Sequence, residues 1–301
     1  MTKPDTIIMY AKPIVDTDKE WMKTNIIEKL NSGTCYHTRP HLAIICNKDD
    51  DASVRYVKNK QKMAADIGIN TSVTYIDNNT GYYDIMYSIH AYDADCNVHG
   101  IILQLPLPER IKHLTNVLIE QISPHKDVDG LTMHNKVRLC TPEFHYVPCT
   151  PMGVLRLLNY YNITTVDRSV VILGRSELVG RPLAKILSSP PYNAMVTLVH
   201  SKISNYLSDE VLENADIIIS ATGSRHTVHA HNNSIYSPTI IDVGINTDEN
   251  GKLCGDVDYD CVVQDCHAIT PVPGGVGPMT VISLMENVIK AWDMQCQLLL
   301  Q

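Results

Sequence analysis

The sequence lacks an excess of positive charge and long apolar runs, and each absence excludes a class of protein. Its 301 residues hold 25 Lys and Arg against 33 Asp and Glu, which gives a formal net charge of −8. Binding of nucleic acid needs a basic surface, so we do not expect it here. No apolar run approaches the roughly 20 residues that a membrane-spanning helix needs, so we expect no membrane contact.

Paired cysteines and a targeting segment are also missing. The nine cysteines are scattered with no C-x-x-C pair, which favours reduced thiols over disulfides or a zinc site. The N-terminal residues have neither the basic start and apolar centre of a signal peptide nor the Arg and Ser bias of a transit peptide. The sequence therefore predicts a cytoplasmic protein without a metal site. Its length and its apolar fraction of 44% predict a two-domain globular enzyme.

What the sequence does have is a strand, a glycine turn and a helix start within VVILGRSELVGRPL, residues 170–183. The apolar β-branched residues 170–173 predict a buried parallel strand that stops at Gly174. Gly180 then opens an apolar helical stretch. Free backbone N–H groups and the helix dipole make such a turn an anion site. The spacing G-x-S-x-x-x-G departs from the dinucleotide fingerprint G-x-G-x-x-G, so a turn that only packs is an alternative.

The chain after Pro148 alternates regularly between strand and helix patterns. A helix with Thr150 as N-cap comes first, followed by helices at 178–188 and near 206–214. The predicted strands lie at 170–173, 196–199, 216–219 and 240–243. Helix-length segments between strands predict a parallel, doubly wound sheet.

The strand at 196–199 is followed by His200, Ser201 and Lys202. An NAD site has an Asp or Glu near this place, which binds the ribose 2′-hydroxyl. Here a hydroxyl and a cation replace the acid. Together with Arg175 in the first turn, they favour a 2′-phosphate, and NADP is therefore the predicted cofactor.

The first half of the chain also alternates. Strands are predicted at His41–Cys46, 71–76 and 100–103. A helix is expected at 18–30 with Asp18 as N-cap and with Trp21, Met22 and Ile26 on one face. A second helix, capped by Asp51 or Ser53, should end at Gly68.

Tyr56 and Lys60 are i and i+4 on this second helix, so they share a face. An aromatic ring beside an amine can stack a flat ligand and move a proton, although a Lys-rich face exposed to water is the simpler interpretation. Gln104 ends the strand at 100–103, where ligands of α/β sheets bind, or else it contacts only water. Asp127 and Asp129 either cap the segment that follows them or hold an amino-pyrimidine edge.

A Pro/Gly-rich segment, residues 270–280, is either a lid over a flat ligand or an interdomain hinge. The last helix, predicted from Val281 to Trp292, should return to the first domain. We therefore expect one domain formed by residues 1–149 plus 281–301 and a second domain formed by residues 150–280.

Eight segments, taken in order, resemble the bifunctional methylenetetrahydrofolate dehydrogenase/methenyltetrahydrofolate cyclohydrolase family. They are YVKNKQK, GIILQLPLP, KDVDGL, PCTP, GRSELVGRP, HSK, DVGIN and TPVPGGVGPMT. The resemblance runs from about residue 42 to residue 285. It implies an N-terminal α/β catalytic domain, a C-terminal NADP-binding Rossmann domain, folate in the cleft between them, and a homodimer. It also implies two reactions: oxidation of 5,10-methylenetetrahydrofolate by NADP, and hydrolysis of the methenyl product to 10-formyltetrahydrofolate.

The resemblance assigns roles by position. Tyr56 packs on the folate ring, Lys60 serves the cyclohydrolase reaction, and Gln104 positions that lysine. Asp129 binds the pterin edge and is the fourth catalytic residue, after Tyr56, Lys60 and Gln104. Further substrate contacts are Leu103, Leu105, Pro273, Gly274, Gly275, Val276 and Gly277. Cofactor contacts are Gly174, Arg175, Ser176, Ser201 and Ile245.

A lysine accepts a proton near neutral pH only where burial lowers its pKa. We therefore expect Lys60 to lie inside the cleft beneath the folate. Two residues depart from the family pattern: Glu177 adds an anion beside the phosphate turn, and Val137 stands where glycine is common.

Three other functions compete with this interpretation. A monofunctional NADP dehydrogenase would not need Lys60 and Gln104, and a regulatory subunit without turnover would have lost Lys60 or Asp129. A hydroxy-acid dehydrogenase would need a His–carboxylate pair, which the sequence does not identify. The absence of a G-x-x-x-x-G-K-[ST] loop argues against an additional ATP-driven formyltetrahydrofolate synthetase.

Overall fold

A computed structural model describes residues 5–32, 36–139, 141, 146–203, 205–229 and 237–298. Its helices are Lys12–Asn31 (α1), Asp51–Ile67 (α2), Tyr82–Ala94 (α3), Thr115–Ile119 (α4), Met133–Arg138 (α5), Cys149–Tyr160 (α6), Gly180–Leu187 (α7), Asn205–Glu213 (α8), Tyr259–Val262 (α9) and Val276–Leu298 (α10), and a 3₁₀ helix spans Glu109–Leu114. Its strands are Ile7–Ile8 (β1), His41–Asn47 (β2), Asn70–Ile76 (β3), Gly100–Gln104 (β4), Ser169–Leu173 (β5), Met195–Val199 (β6), Ile217–Ser220 (β7), Thr239–Asp242 (β8), Asn246–Thr247 (β9), Leu253–Cys254 (β10) and Ala268–Ile269 (β11).

The chain forms two compact units. The six-stranded unit comprises Met1–Val15 and Thr150–Thr280, and the three-stranded unit comprises Asp16–Cys149 and Val281–Gln301. The expected first domain had included residues 1–15. The structure instead groups them with the six-stranded unit, because β1 pairs in parallel with β11.

The six-stranded unit contains a parallel sheet with the strand order β1-β11-β8-β7-β5-β6. Its middle strands are β-branched and apolar, and every residue of β7 and β8 is buried. Strands of this kind need helices on both faces, as in a doubly wound fold. The predicted α/β class with a parallel sheet is confirmed. The two-residue strands β1 and β11 carry too short a pattern to be predicted.

The three-stranded unit has a parallel sheet in the order β3-β2-β4. The central strand β2 is buried at all residues but its first. The N-cap of helix α2 is Asp50, one residue before Asp51, the earlier of the two expected caps. The Asp50 side chain accepts a hydrogen bond from the Ser53 N–H at 2.8 Å. It ends as predicted at Gly68, whose φ of 97° is the left-handed conformation that favours glycine.

Three helices begin earlier in the chain than predicted. Helix α1 begins at Lys12, so Asp18 lies inside it, and the proline in its first turn has no N–H that needs a partner. Helix α6 begins at Cys149, so Thr150 is helical rather than capping, and α10 begins at Val276 rather than Val281. On α1, Met22 and Ile26 are buried as expected, but Trp21 is 58% exposed because it lies about 100° around the helix from Met22.

A buried histidine links β2 to β4. His99 is 3% exposed, and its Nδ1 accepts a hydrogen bond from the His41 backbone N–H at 3.1 Å. Burial, followed by the nearby charges of His41 and Lys126, lowers the pKa of His99 to about 4. The imidazole is therefore neutral in the folded chain under conditions in which an unfolded chain would protonate it.

We predict that acid destabilises the three-stranded unit through His99. Below the unfolded pKa of about 6.5 the unfolded chain binds a proton that the folded chain does not, so the free energy of unfolding falls as the pH falls toward 4. Between pH 7.5 and pH 5 this loss is about 2 kcal/mol. His99→Gln keeps an acceptor for the His41 N–H and should show a smaller loss.

The measurement is urea unfolding at several pH values, followed by tryptophan fluorescence, because Trp21 and Trp292 both belong to the three-stranded unit. His113→Gln, at an exposed position in the same unit, is the control and should retain the wild-type pH dependence. Identical pH dependence in His99→Gln and the wild type would contradict the prediction.

Candidate active site

The inner face of helix α2 carries the first candidate residues. Val57 is buried, and Tyr56 and Lys60 are half-buried, whereas Lys58 and Lys62 are exposed. Residues three and four apart share a helix face, so Lys60 lies on the face of the buried Val57, and Tyr56 lies on the face of the buried Ser53. The water-facing interpretation therefore holds for Lys58 and Lys62 but not for Lys60.

Lys60 donates a hydrogen bond from Nζ to Oε1 of Gln104 at 2.8 Å. Gln104 is the last residue of β4, and its Nε2 donates to the Leu105 carbonyl at 3.0 Å. Both ends of the amide are thus satisfied, which orients its oxygen toward the amine. An uncharged acceptor can hold a lysine in place without adding a negative charge beside it.

The end of β4 is also tied to the start of α2. The Ser53 hydroxyl donates to the Leu105 carbonyl at 3.3 Å, while the side chain of Leu103 is buried in the core below. The peptide bond between Leu105 and Pro106 is cis. Leu103, Gln104 and Leu105 therefore present one ordered strand end to the inner face of α2.

Asp127 and Asp129 have separate roles. Asp127 is buried, and its carboxylate accepts hydrogen bonds from the Leu131 N–H at 3.1 Å, from the Thr132 N–H and hydroxyl at 2.8 Å each, and from Asn135 Nδ2 at 2.8 Å. Burial raises the pKa of Asp127, and these donors oppose the rise. Asp127 thus orders the turn before α5, whose N-cap is Thr132, so neither aspartate caps that helix and the half-buried Asp129 remains for another role.

A buried thiol connects Asp129 with the lysine. The Cys149 thiol donates to the Val128 carbonyl at 3.5 Å and accepts from Asn287 Nδ2 at 3.7 Å. Burial, followed by the Asp129 carboxylate, raises the pKa of this thiol, while Lys60 acts in the opposite sense. Both Lys60 and Asp129 are therefore within electrostatic reach of Cys149. Burial also raises the pKa of Cys46, which likewise faces Lys60, so neither thiol adds a negative charge beside the amine.

A buried asparagine on α10 holds the Asp129 turn in place. Asn287 Nδ2 donates to the Val128 carbonyl at 2.8 Å and to the Val147 carbonyl at 3.2 Å. Sequence reasoning missed Asn287, Cys149 and Ser53 as parts of the site. The available signal was the single asparagine inside the apolar run of the last helix.

The Pro/Gly segment belongs to the six-stranded unit and is closely packed. Gly274 has a φ of 113°, and its carbonyl accepts from the Ala11 N–H at 2.8 Å. A Cβ at Gly275 would lie 2.7 Å from the Pro271 carbonyl oxygen. The expected loop through residue 280 is shorter in the structure, because Val276 and Gly277 already form the first turn of α10. Pro273 precedes this turn and is exposed.

The glycine turn after β5 requires its two glycines for different contacts. Gly174 has a φ of 107°, and a Cβ there would lie 2.3 Å from the Ala221 carbonyl oxygen. A Cβ at Gly180 would lie 2.0 Å from the Gly174 carbonyl oxygen. Ser176 Oγ accepts from the Val179 N–H at 3.1 Å just before α7 begins. The turn is therefore pressed against the chain after β7, and it opens into a helix N-terminus.

A cavity of about 790 Å³ lies over this turn. It brings together four of the five predicted cofactor contacts, Gly174, Arg175, Ser176 and Ser201, and leaves out Ile245, which is 45% exposed after β8. The other lining residues are Leu173, Val199, His200, Ile203, Asp209, Leu212, Ala221, Thr222, Ser224, Thr227 and His229.

The cavity fits the predicted dinucleotide. Gly174 has no side chain that would keep a pyrophosphate away from the backbone of the turn, and Arg175 and Ser201 place a cation and a hydroxyl, groups of the kind that bind phosphate, in the cavity lining. Glu177 forms an ion pair with Arg181 at 2.9 Å, so the added anion is offset locally. The departure at Val137 is also accommodated, since this residue lies exposed on α5.

Two buried aspartates outside the cavity lining, Asp242 and Asp256, were not predicted from the sequence. Asp242 accepts from the Gly244 N–H and the Val257 N–H at 3.0 Å each, and burial raises its pKa to about 6. A Cβ at Gly244 would lie 2.0 Å from Asp256 Oδ1. The signal in the sequence was the pair of motifs DVG and GDV, which are too far apart for spacing to connect them.

Over the ranges that the structure describes, no three His, Cys, Asp or Glu side chains are grouped so that they could hold a metal ion. In the same ranges no helix is both long enough and apolar enough to span a membrane. None of the seven cysteines described forms a disulfide.

Comparison with known proteins identifies the family. Residues 9–129 match the model described as tetrahydrofolate dehydrogenase/cyclohydrolase, catalytic domain, and residues 148–296 match its NAD(P)-binding domain. The chain is 42% identical over 280 residues to Bifunctional protein FolD of Chlamydia felis, covering 89% of this chain and 95% of that protein.

Two solved structures agree with this similarity. Bifunctional FolD from Campylobacter jejuni is 34% identical with a TM-score of 0.87, covering 96% of this chain and 99% of that one. The dehydrogenase-cyclohydrolase from Trypanosoma brucei, solved with NADP cofactor and inhibitor, is 29% identical with a TM-score of 0.88, covering 97% and 99%. Since both family models match and together span most of its length, this chain belongs to the tetrahydrofolate dehydrogenase/cyclohydrolase family.

Proposed function

We propose that this chain carries out both reactions of its family in one-carbon metabolism. It oxidises 5,10-methylenetetrahydrofolate to 5,10-methenyltetrahydrofolate with NADP, and it hydrolyses the methenyl product to 10-formyltetrahydrofolate. The bifunctional relatives support both reactions. The observation that carries the cyclohydrolase assignment is the hydrogen bond from Lys60 to Gln104, because a dehydrogenase alone would not need this pair.

The folate site in this proposal is built from residues of the three-stranded unit. Tyr56 stacks on the folate ring, Leu103 and Leu105 flank Gln104 at the strand end, and Asp129 accepts the amino-pyrimidine edge of the pterin. A planar carboxylate can accept two parallel N–H donors, which fixes the ring in its plane. Residues 273–277, from Pro273 to Gly277, are a separate assignment from the family resemblance and belong to the six-stranded unit.

Hydrolysis requires a proton to leave the water that adds to the methenyl carbon. We assign this proton transfer to Lys60, whose amine is half-buried and held by one hydrogen bond to Gln104. Among the described residues Nζ makes no other hydrogen bond, so it can contact water and substrate. Proton transfer by a positioned side chain contributes about 10²–10⁴-fold to a rate, so removal of the amine should remove most of this reaction.

The cofactor site consists of Gly174, Arg175, Ser176 and Ser201, with Ile245 as a backbone contact. NADP supplies the hydride acceptor when it is bound here. The chain contributes positioning: the glycine turn admits the pyrophosphate, and Arg175 with Ser201 selects the 2′-phosphate.

We further propose that the chain acts as a homodimer in the cytoplasm. In the described sheet β6 pairs on one side with β5, and Met195 at its start is exposed, so the other edge can pair with a second copy. The seven cysteines that the structure describes are free thiols, which suit a reducing compartment. Light scattering should give twice the 33.6 kDa of one chain; a mass of one chain at micromolar concentration would contradict the dimer.

Replacement of Lys60 tests the function. In Lys60→Met the alkyl chain remains but the amine is lost, so we expect cyclohydrolase activity to fall at least about 100-fold. The assay follows the decay of methenyltetrahydrofolate absorbance, and the dehydrogenase is followed as methenyl product formed with NADP. Lys58→Met, at an exposed position on the same helix, is the control and should keep both activities. Full cyclohydrolase activity in Lys60→Met would contradict the assignment.

Replacement of Arg175 tests the cofactor preference. Arg175→Ala removes the cation expected to face the 2′-phosphate, so KM for NADP should rise about tenfold or more while KM for NAD changes little. Arg168→Ala, which removes a surface ion pair with Asp216, serves as the control. Equal rises for NADP and NAD would contradict the proposed phosphate contact, and wild-type turnover with NAD alone would contradict the NADP assignment.

A further inference from the structure

Asp256 is a fully buried carboxylate directly behind one wall of the cofactor cavity. It is not among the residues that line the cavity, and no role followed for it from the sequence. Its position is set by its own backbone, since its N–H donates to Asp242 Oδ1 at 3.0 Å. The buried Asp242 carboxylate thereby fixes the backbone at Asp256.

The Asp256 carboxylate accepts five hydrogen bonds. Oδ2 accepts from the Thr222 N–H at 2.7 Å, the Thr222 hydroxyl at 2.9 Å, the Gly223 N–H at 3.1 Å and the Ser220 hydroxyl at 3.2 Å. Oδ1 accepts from Asn246 Nδ2 at 2.9 Å. Bonds to a charged acceptor are the stronger kind, about 1.5–3 kcal/mol net each, so this set defines the conformation of the chain after β7.

The segment that Asp256 holds is the wall opposite the glycine turn. Ala221, Thr222, Ser224 and Thr227 line the cavity. The Ala221 carbonyl oxygen is the atom that a Cβ at Gly174 would meet at 2.3 Å. The Thr227 N–H donates to the Asp256 carbonyl at 2.8 Å, so side chain and backbone of one residue anchor both ends of this wall.

We propose that Asp256 is a positioning residue for cofactor binding, which acts by holding residues 221–227 at the distance from the glycine turn that the dinucleotide requires. The inference rests on the proposed NADP-dependent activity. Because Asp256 belongs to the six-stranded unit and Lys60 to the other unit, loss of its contacts should weaken NADP binding and leave the cyclohydrolase reaction intact.

A carboxylate is needed here because every group that faces it is a donor. In Asp256→Asn one oxygen becomes an NH₂ group, so a donor opposes a donor in either orientation of the amide. Ser220→Ala provides a milder test. Ser220 is buried, does not line the cavity, and loses one hydrogen bond to Asp256 Oδ2 when it is replaced. Its effect on NADP binding therefore reports on the loss of one hydrogen bond to the Asp256 carboxylate.

The experiment measures three quantities in the full-length chain: KM for NADP with methylenetetrahydrofolate, Kd for NADP by fluorescence titration, and the cyclohydrolase rate with methenyltetrahydrofolate in the absence of NADP. We expect Asp256→Asn to raise KM and Kd for NADP about tenfold and to leave the cyclohydrolase rate within about twofold of the wild type. Ser220→Ala should shift them in the same direction by about two- to fivefold. Asp260→Asn, the same substitution at an exposed position of this unit, should change none of them.

Unchanged KM and Kd for NADP in Asp256→Asn would overturn the inference. A parallel fall of both activities would also overturn it, because that result indicates a role in stability alone. If Asp256→Asn does not fold, Ser220→Ala decides by the same criteria. A wild-type chain that cannot reduce NADP would refute the proposed function, whereas an active wild type with an unaffected Asp256→Asn refutes only the role of Asp256.

Discussion

Both units depend on one constraint: the carboxyl ends of parallel strands all lie at the same edge of the sheet. Within a strand the backbone groups bond to neighbouring strands, and the side chains of a buried sheet are apolar. Polar side chains and open backbone groups are therefore concentrated at the last residue of each strand and in the segments after it. Gln104 ends β4 in the three-stranded unit, and Gly174 follows β5 in the six-stranded unit. The two predicted sites arise from the same structural cause in two different sheets.

The loops at these edges are organised by buried aspartates. Asp127 orders the turn that carries Asp129, while Asp242 and Asp256 order the chain after β7 and β8. Backbone N–H groups, which would otherwise be buried without partners, supply two of the four donors to Asp127, all three to Asp242 and two of the five to the Asp256 carboxylate. A carboxylate suits this position because it accepts several hydrogen bonds and donates none. Burial raises the pKa of Asp127 and Asp242, which reflects the cost of placing charge there.

A large part of the fold could be predicted, because long apolar runs carry a strong signal. The strands β2, β5 and β8 were located to within one residue, and the glycine at the end of α2 was recognised from its type alone. Helix starts were less accurate. Asp18 has the side chain of a capping residue but lies inside α1, since a cap is defined by the backbone around it. Two-residue strands such as β1 exist only because a distant strand pairs with them.

For the candidate site, the sequence by itself determined the chemistry that is available: a glycine turn, the absence of an acid after β6, and an amine four residues from a tyrosine. Tertiary structure alone decided which groups act together. Spacing on α2 favoured exposure of Lys60, but this residue shares a face with the buried Val57, and Gln104 accepts a hydrogen bond from its amine at 2.8 Å. The contacts of Asp256 reach ten to 36 residues away along the chain, as from Asn246 and Ser220. Local pattern carries no information on such contacts, because the folded backbone rather than the residue spacing brings the partners together.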